Sequence, residues 1–365
     1  MRTNGWKAVG IFTAMASVAG FVAFASSGKP SPQAGKSGYQ QANKIVLGGE
    51  GAWDYLEVDP ASHHLFISRS SHVMVVDPAQ GKAIGDIPNT QGVHGIAIAD
   101  EFNRGFTSNG TAGTATIFDL KTLQPVGEAK TDPGPDGIIY DPGSKRVFTM
   151  NGRSNSATAI DAKTGMVAGS VALGGRPEFA AADGKGHVFV NLEDKSSIVE
   201  VDSNALKVLN TWSLAPCDSP SGLAIDAKNE RLFAGCDNKM MAVVDGNSGK
   251  VITTVPIGMG VDANRFDPAT GFAFASCGDG TITVAHEDTP DKFTVVDTIK
   301  TADRARTMAI DYGTHDVYTV TAQFEAPPPA PPVADGQGAA NGGRAGGFRR
   351  ATMVPNTFTL LIYKR

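Results

Sequence analysis

The sequence is poor in cysteine, in aromatic residues and in excess charge of either sign. Its three cysteines form no CxxC or CxxCH pair, which excludes a c-type haem and a zinc ribbon. Lysine and arginine (32) are slightly outnumbered by aspartate and glutamate (37), so there is no basic footprint for nucleic acid. HExxH, Walker and GxSxG motifs are also missing, so the chain lacks the motif residues expected of zinc proteases, P-loop proteins and serine hydrolases.

The 365 residues are instead rich in glycine (43) and 41% hydrophobic, which predicts a globular chain with a large core and many turns. At the N-terminus, Arg2 and Lys7 precede an uncharged stretch that ends in Ala23-Phe24-Ala25. This pattern is typical of a signal peptide, residues 1–25, cleaved after Ala25. The alternative is an uncleaved anchor, because the apolar stretch is nearly long enough to span a bilayer.

Export places the folded part in the periplasm or outside the cell, and cleavage leaves no membrane span. Residues 26–43 are polar and predict a flexible leader.

One pattern recurs seven times: an apolar alternating run, an aspartate, a short polar turn, and an aromatic residue six or seven positions later. Successive aspartates lie 41 to 44 residues apart. The aspartates are Asp59, Asp100, Asp141, Asp183, Asp226, Asp267 and Asp311. The aromatics are Phe66, Phe106, Phe148, Phe189, Phe233, Phe274 and Tyr318, which we interpret as core residues between repeats.

A second series of turns lies between these aspartates, beginning at Asp77, Asp119, Asp161, Asp202 and Asp245. Asp and Gly suit hairpin turns, so each repeat contains four short strands. The copy at HEDTPDKF is looser. The runs are short and rich in Val, Ile and Thr, which disfavours a helical solenoid. The period predicts an all-β, seven-bladed β-propeller with four antiparallel strands per blade.

The last copy has one clear strand too few, while an unassigned strand, KIVLG (44–48), precedes the first copy. We expect this strand to pair with NTFTLLIY (356–363) and close the last blade, which makes 44–365 a single domain. A Pro- and Gly-rich insertion, 323–355, interrupts that blade. It is either a disordered excursion or a mobile flap whose basic end, Arg344, Arg349 and Arg350, reaches an acidic channel mouth.

The position of a residue in the repeat also predicts on which face of the propeller it lies. Five positions before each anchoring aspartate, at the predicted mouth of the central channel, stand Asp54, Gly95, Asp136, Glu178, Ser221, Asp262 and Arg306. Convergent polar groups on a concave rim predict a ligand-binding site. The candidate binding residues are Trp53, Asp54, His94, Asp136, Glu178, Asp262, Asn264 and Arg306.

Four carboxylates around a narrow opening repel one another unless a positive charge intervenes. One candidate is Ca²⁺, which prefers oxygen ligands and would be held by Asp54, Asp136, Glu178 and Asp262. The other candidates are arginines near the rim, in which case the carboxylates form ion pairs and hold no metal. These are Arg176, Arg265, Arg304 and Arg306.

Cys217 and Cys236 fall at the same rim of the fifth blade, which predicts a disulfide in an oxidising compartment. Cys277 stands at the position of Cys236 one blade further on, too far for a second bond, so we expect it to be free.

The chain resembles exported YncE-like proteins of the YVTN-repeat β-propeller superfamily over residues 44–322 and 356–363. The segments that carry the resemblance are GAWDYLEVD, GVHGIAIAD, GPDGIIYD, GRPEFAAAD, CDSPSGLAID, GVDANRFD, RARTMAID, RLFAGCDNKMMAVVD and CGDGTITVAHED. The resemblance implies a seven-bladed propeller in the periplasm or at the cell surface. It does not determine an activity, because this fold hosts many functions.

Two hypotheses for function follow. The first is a non-catalytic, monomeric propeller that binds a small molecule, peptide or protein partner at the channel mouth, with no nucleic acid expected. The alternative is a Ca²⁺-assisted hydrolase of lactonase type, with the ion polarising a carbonyl and His94 moving protons. A quinone-cofactor oxidoreductase is disfavoured, because the mature chain has only Trp53 and Trp212 and no cofactor signature.

Overall fold

Alternating apolar and polar residues in short runs separated by Asp- and Gly-containing turns form strands throughout the chain. The computed structural model describes residues 36–325 and 352–365. Within these ranges, 28 strands form seven four-stranded antiparallel sheets arranged in a ring. The only helical elements in the same ranges are two short 3₁₀ turns, Asp100–Phe102 and Glu193–Lys195. None of the described helices is long and apolar enough to cross a membrane.

Each sheet is one blade, and in blades 1 to 6 the strands follow one another along the chain from the channel outward. Blades 1 and 2 contain β2 (Leu56–Val58), β3 (Leu65–Ser68), β4 (Val73–Asp77) and β5 (Lys82–Ile87), then β6 (Val93–Ala99), β7 (Arg104–Asn109), β8 (Thr114–Asp119) and β9 (Pro125–Lys130). Blades 3 and 4 contain β10 (Pro135–Asp141), β11 (Arg146–Asn151), β12 (Ser156–Asp161) and β13 (Val167–Ala172), then β14 (Pro177–Ala182), β15 (His187–Leu192), β16 (Ser197–Asp202) and β17 (Lys207–Ser213).

Blades 5 and 6 contain β18 (Pro220–Asp226), β19 (Arg231–Cys236), β20 (Met240–Asp245) and β21 (Val251–Pro256), then β22 (Val261–Asp267), β23 (Phe272–Cys277), β24 (Thr281–Thr289) and β25 (Lys292–Lys300). Blade 7 contains β26 (Met308–Asp311), β27 (Asp316–Thr321), β28 (Thr359–Lys364) and, as its outermost strand, β1 (Gln40–Val46). The predicted seven-bladed architecture and its closure by an N-terminal strand are therefore confirmed.

The hairpin turns have the predicted chemistry. The carboxylate of Asp245 accepts hydrogen bonds from the backbone N–H groups of Asn247 (3.0 Å) and Ser248 (2.8 Å), and Gly249 supplies a positive φ of 71°. In blade 6, where the sequence looked looser, β24 and β25 are instead nine residues each and pair up to a tight turn. The longer strands there explain why the usual Asp-Gly turn is missing.

The repeated aromatic series forms the core, as predicted. All seven side chains are buried, from Phe66 to Tyr318. They also pack between blades: Phe233 of blade 5 stacks on Phe266 of blade 6 with 5.1 Å between ring centroids. Phe66 of blade 1 lies 5.7 Å from Phe118 of blade 2. These contacts join neighbouring sheets through large apolar surfaces.

The closing strand starts earlier than predicted. β1 begins at Gln40 rather than Lys44, inside the segment assigned to a flexible leader. Just before it, the ring of Tyr39 is buried 5.6 Å from the Phe274 ring, and its hydroxyl donates a 2.7 Å hydrogen bond to the His315 carbonyl. One aromatic anchor thus fixes a stretch whose composition is otherwise polar. The predicted signal peptide, its predicted cleavage site and residues 26–35 lie outside the described residues.

The two ends of the insertion in blade 7 are joined by backbone hydrogen bonds. The Glu325 N–H donates to the Thr352 carbonyl (2.9 Å), and the Val354 N–H donates to the Gln323 carbonyl (2.8 Å). Residues 326–351, including Arg344, Arg349 and Arg350, lie outside the described ranges.

Cys217 and Cys236 form the predicted disulfide, with 5.7 Å between their Cα atoms. Cys277 is free, also as predicted, and buried, and this burial raises the pKa of its thiol to about 12. A thiol in that state is a packing residue and a poor nucleophile.

We predict that Tyr39→Ala lowers the free energy of unfolding by about 3–5 kcal/mol, because it removes a buried aromatic ring from the closing segment. Tyr39→Phe keeps the ring and loses only the hydrogen bond to His315, at a cost of about 1 kcal/mol. Urea unfolding of the two variants and the parent chain measures both effects. Equal unfolding midpoints for Tyr39→Ala and the parent would show that this segment does not hold the ring closed.

Candidate functional site

The inner strands carry β-bulges at the channel mouth. In β10, Pro135 pairs with Asn151 and Ile138 pairs with Thr149, so Asp136 and Gly137 share a single opposing residue. The inner strands of blades 2, 4, 5 and 6 have register shifts at the same place. Bulges redirect side chains. In blades 3, 4 and 6 the carboxylates five positions before the repeat aspartates, Asp136, Glu178 and Asp262, lie in these bulges.

Glycine lets the inner strands approach one another here. A Cβ atom on Gly137 would lie 2.4 Å from the carbonyl oxygen of Glu178 in the next blade, which real Cβ atoms do not tolerate. A Cβ atom on Gly110 would lie 2.8 Å from the His94 ring. Gly110 therefore makes room for the imidazole, and sequence reasoning did not identify it.

His94 joins two carboxylates. Its Nδ1 lies 2.7 Å from Asp54 Oδ2 in blade 1 and 3.6 Å from Asp136 Oδ1 in blade 3. The hydrogen bond to Asp54 raises the pKa of His94 to about 8, although burial acts in the opposite direction. The imidazole is therefore mainly a cation at neutral pH, and Nδ1–H is the donor.

Arg306 joins the other side of the ring. Its guanidinium lies 3.3 Å from Asp262 Oδ1 and 3.7 Å from Asp54 Oδ1. The attraction of Asp262 raises the pKa of Arg306 further. Burial raises the pKa of Asp262 while Arg306 lowers it, and the net shift is upward. Burial likewise raises the pKa of Asp136 against the pull of His94.

Glu178 differs from the other three carboxylates. Its half-buried side chain has no hydrogen-bond or ion-pair partner among residues 36–325 and 352–365. Burial, followed by the charge of Asp136, raises the pKa of Glu178 above its ordinary range. At neutral pH Glu178 is therefore mainly the protonated acid, and no cation is in contact with it in the described part of the chain.

Tyr55 is a site residue that sequence reasoning missed. It follows Asp54 in the chain, and burial followed by the charges of Asp136, Glu178 and the other mouth carboxylates holds the pKa of its phenol well above the usual range. Its ring stacks on Phe179 at 5.0 Å between centroids. The sequence contained an indication of this role. The equivalent repeat position is a glycine in blade 3 (Gly137) and in blade 5 (Gly222), so a large aromatic residue in blade 1 departs from the repeat.

Two predicted binding residues lie outside the charged cluster. The Trp53 ring packs 5.3 Å from Phe358 and 6.0 Å from Phe324, toward blade 7 and the start of the insertion. Asn264 is fully buried between blades 5 and 6, and its Nδ2 donates to the Met241 sulfur at 3.0 Å. Both side chains take part in packing.

The four candidate arginines have different partners, and not all of them lie at the mouth cluster. Arg176 pairs with Glu193 at 2.5 Å, and Arg304 lies 4.3 Å from the Phe324 ring centroid. Arg265 points further down the channel, toward Glu57. In the described part of the chain, Arg306 is the arginine that contacts the mouth carboxylates. We name the mouth cluster from the residues that the structure brings together: Asp54, His94, Asp136, Glu178, Asp262 and Arg306.

A metal fits this arrangement poorly. Asp54, His94 and Asp136 each offer a donor atom within 4.8 Å of the others. However, protonated His94 already hydrogen bonds to one of these carboxylates, and Arg306 spans Asp54 and Asp262. Ca²⁺ prefers six to eight oxygen ligands at about 2.3–2.6 Å, so it would have to displace both cations.

The fold makes the chain a seven-bladed β-propeller with a polar channel mouth. No protein-family model and no curated protein sequence matches it.

The mouth cluster predicts that stability falls as pH rises. His94 has a pKa above its ordinary 6.5, so its stabilising effect is complete below about 6.5 and is lost as pH passes 8. The mouth carboxylates with raised pKa values, Asp136, Glu178 and Asp262, favour the folded state while protonated and act in the same direction. We expect His94 to contribute about 1 kcal/mol after allowance for its solvent exposure.

Urea unfolding at about pH 6 and about pH 9 tests this prediction, and Asp54→Asn should show a smaller decrease because it removes the largest cause of the His94 shift. His187, whose pKa is also raised, is present in both proteins and cancels in the comparison. Stability that is constant or increases with pH would contradict the assigned pKa shifts.

Proposed function

We propose that the protein is an exported, non-catalytic β-propeller whose channel mouth binds a positively charged group of a small molecule, a peptide or a partner protein. The observation that carries this proposal is Glu178. The other three carboxylates of the mouth cluster have His94 or Arg306 as partners, whereas Glu178 has none among the described residues. A ligand cation would supply the missing charge.

Electrostatics support a cationic ligand. Neighbouring carboxylates and burial both disfavour ionised Glu178, so a bound ammonium or guanidinium group would relieve the repulsion and promote its ionisation. Tyr55, protonated at all physiological pH values, adds a hydroxyl group beside the same carboxylates. Planar guanidinium is well suited to such a set of oxygen acceptors.

Export is supported by two features of the chain. The N-terminal segment has the pattern of a signal peptide, and the Cys217–Cys236 disulfide suits an oxidising compartment. A periplasmic or extracellular location also agrees with the resemblance to exported YncE-like proteins of the YVTN-repeat superfamily. We further propose that the protein acts as a monomer.

We predict that N-acetylarginine amide binds at the mouth and that N-acetylcitrulline amide, its uncharged near-isostere, does not. Glu178→Gln should weaken binding at least tenfold, because it removes the carboxyl group that ionises when the cation binds. Glu128→Gln, which changes the chain charge equally on an exposed outer strand, should leave binding unchanged. Isothermal titration calorimetry measures the affinities. Equal affinities for the two compounds, or an equal loss of affinity in the two variants, would contradict the proposal.

The alternative proposal is a Ca²⁺-assisted hydrolase that uses the same mouth. The Asp54, His94 and Asp136 donor group favours it, whereas the position of Arg306 opposes it. We predict the same melting temperature in EDTA and in excess CaCl₂, because the mouth cations already neutralise these carboxylates. A marked increase in melting temperature with CaCl₂, lost in Asp136→Asn, would favour the hydrolase and contradict our assignment.

A further inference from the structure

A cavity in the channel is lined by Tyr55 and Phe179 and extends from them toward the opposite face of the ring. It has a volume of about 180 Å³, and its walls come from the later residues of the inner strands. Tyr312, in the turn after β26, lies at its edge and is half exposed. The mouth cluster does not line this cavity, so the two ends of the channel have different surroundings.

The walls are about half apolar and half polar, and the apolar half comes mainly from aliphatic side chains. Ile96, Ile138, Ile139, Leu223 and Ile225 line the cavity, with the Phe179 ring among them. Side chains of this kind favour a compact apolar body over water. An apolar protein cavity of about 150 Å³ holds one benzene molecule, so a ring of that size fits a cavity of this volume.

One positively charged side chain, that of Arg265, lines the cavity. The Arg265 guanidinium lies 5.2 Å from the Phe179 ring centroid, and its side chain is only 13% exposed. It donates to two backbone carbonyls, those of Asn264 (2.9 Å) and Leu56 (3.4 Å). An arginine side chain has five N–H donors, so donors remain available for a ligand.

The acid beside Arg265 is a weak competitor for it. Glu57 Oε2 lies 3.8 Å from Arg265 Nη2, which is too long for a hydrogen bond. Burial raises the pKa of Glu57 to about 7, although Arg265 acts against this, so much of Glu57 is neutral at physiological pH. The other titratable group at this end of the cavity is the half-exposed phenol of Tyr312.

We propose that this cavity binds a small organic carboxylate whose apolar body is about the size of one aromatic ring, with the carboxylate paired to Arg265. Guanidinium and carboxylate match in charge and in bidentate geometry. The apolar walls would distinguish such a molecule from inorganic anions. The site is separate from the mouth, and its occupation does not require the proposed function of the mouth.

Benzoate is the test probe, benzamide is its uncharged isostere, and inorganic phosphate is an anion without an apolar body. In isoleucine methyl NMR spectra of the purified protein, we expect benzoate to shift Ile138, Ile139 and Ile225 in a saturable manner and to leave Ile198, in the core of blade 4, unchanged. Benzamide and phosphate should bind at least tenfold more weakly. No saturable shift, or equal affinity for benzoate and benzamide, would overturn the proposal.

Variants locate the charge that is responsible. Arg265→Gln should weaken benzoate binding at least tenfold, whereas Arg153→Gln, an equal charge change at an exposed position, should not. Glu57→Gln should strengthen binding at about pH 8 at least threefold and remove the increase in affinity that the parent shows as pH falls through 7. Glu57→Gln keeps the proposal testable if Arg265→Gln does not fold. Parent-like behaviour of Glu57→Gln would overturn it.

Discussion

Seven inner strands surround one channel, and this geometry fixes what the rest of the molecule can do. A residue at a given position of the repeat lies at the same depth in every blade, so side chains far apart in sequence converge. Asp54 and Arg306 are 252 positions apart, yet they are within 3.7 Å of each other. The pairing of β1 with β28 maintains this convergence, because it joins the two chain ends in one sheet and leaves the last blade complete.

The side chains that meet at each end of the channel also determine the charge of that end. At the mouth, four carboxylates meet two cations, His94 and Arg306, and Glu178 stays without a partner among the described residues. Beyond the stacked rings of Tyr55 and Phe179, the balance is reversed: Arg265 faces Glu57, whose burial makes it a weak anion. One end thus suits a ligand cation and the other a ligand anion, although both belong to one channel.

The repeat in the sequence was sufficient for the blades, the buried aromatic series, the disulfide and the convergence of the mouth residues. It was not sufficient for side-chain direction. The bulges in the inner strands of blades 2 to 6 disturb the simple alternation, so Asn264 is buried between blades while His94 enters the mouth over Gly110. The start of β1 was missed because the contact of Tyr39 with Phe274 is long-range and its surroundings in sequence are polar. Tyr55 and Phe179 share one repeat position, and their importance follows from the contact between their rings across the channel, which the repeat alone does not show.

The central claim is that Glu178 is the acceptor for a ligand cation at the channel mouth. A crystal structure of the protein soaked with N-acetylarginine amide tests it most directly. The account predicts electron density in the mouth, with the guanidinium within hydrogen-bonding distance of the Glu178 carboxylate and close to the Tyr55 hydroxyl. An empty mouth, with the compound bound only on the outer surface of the blades, would contradict it.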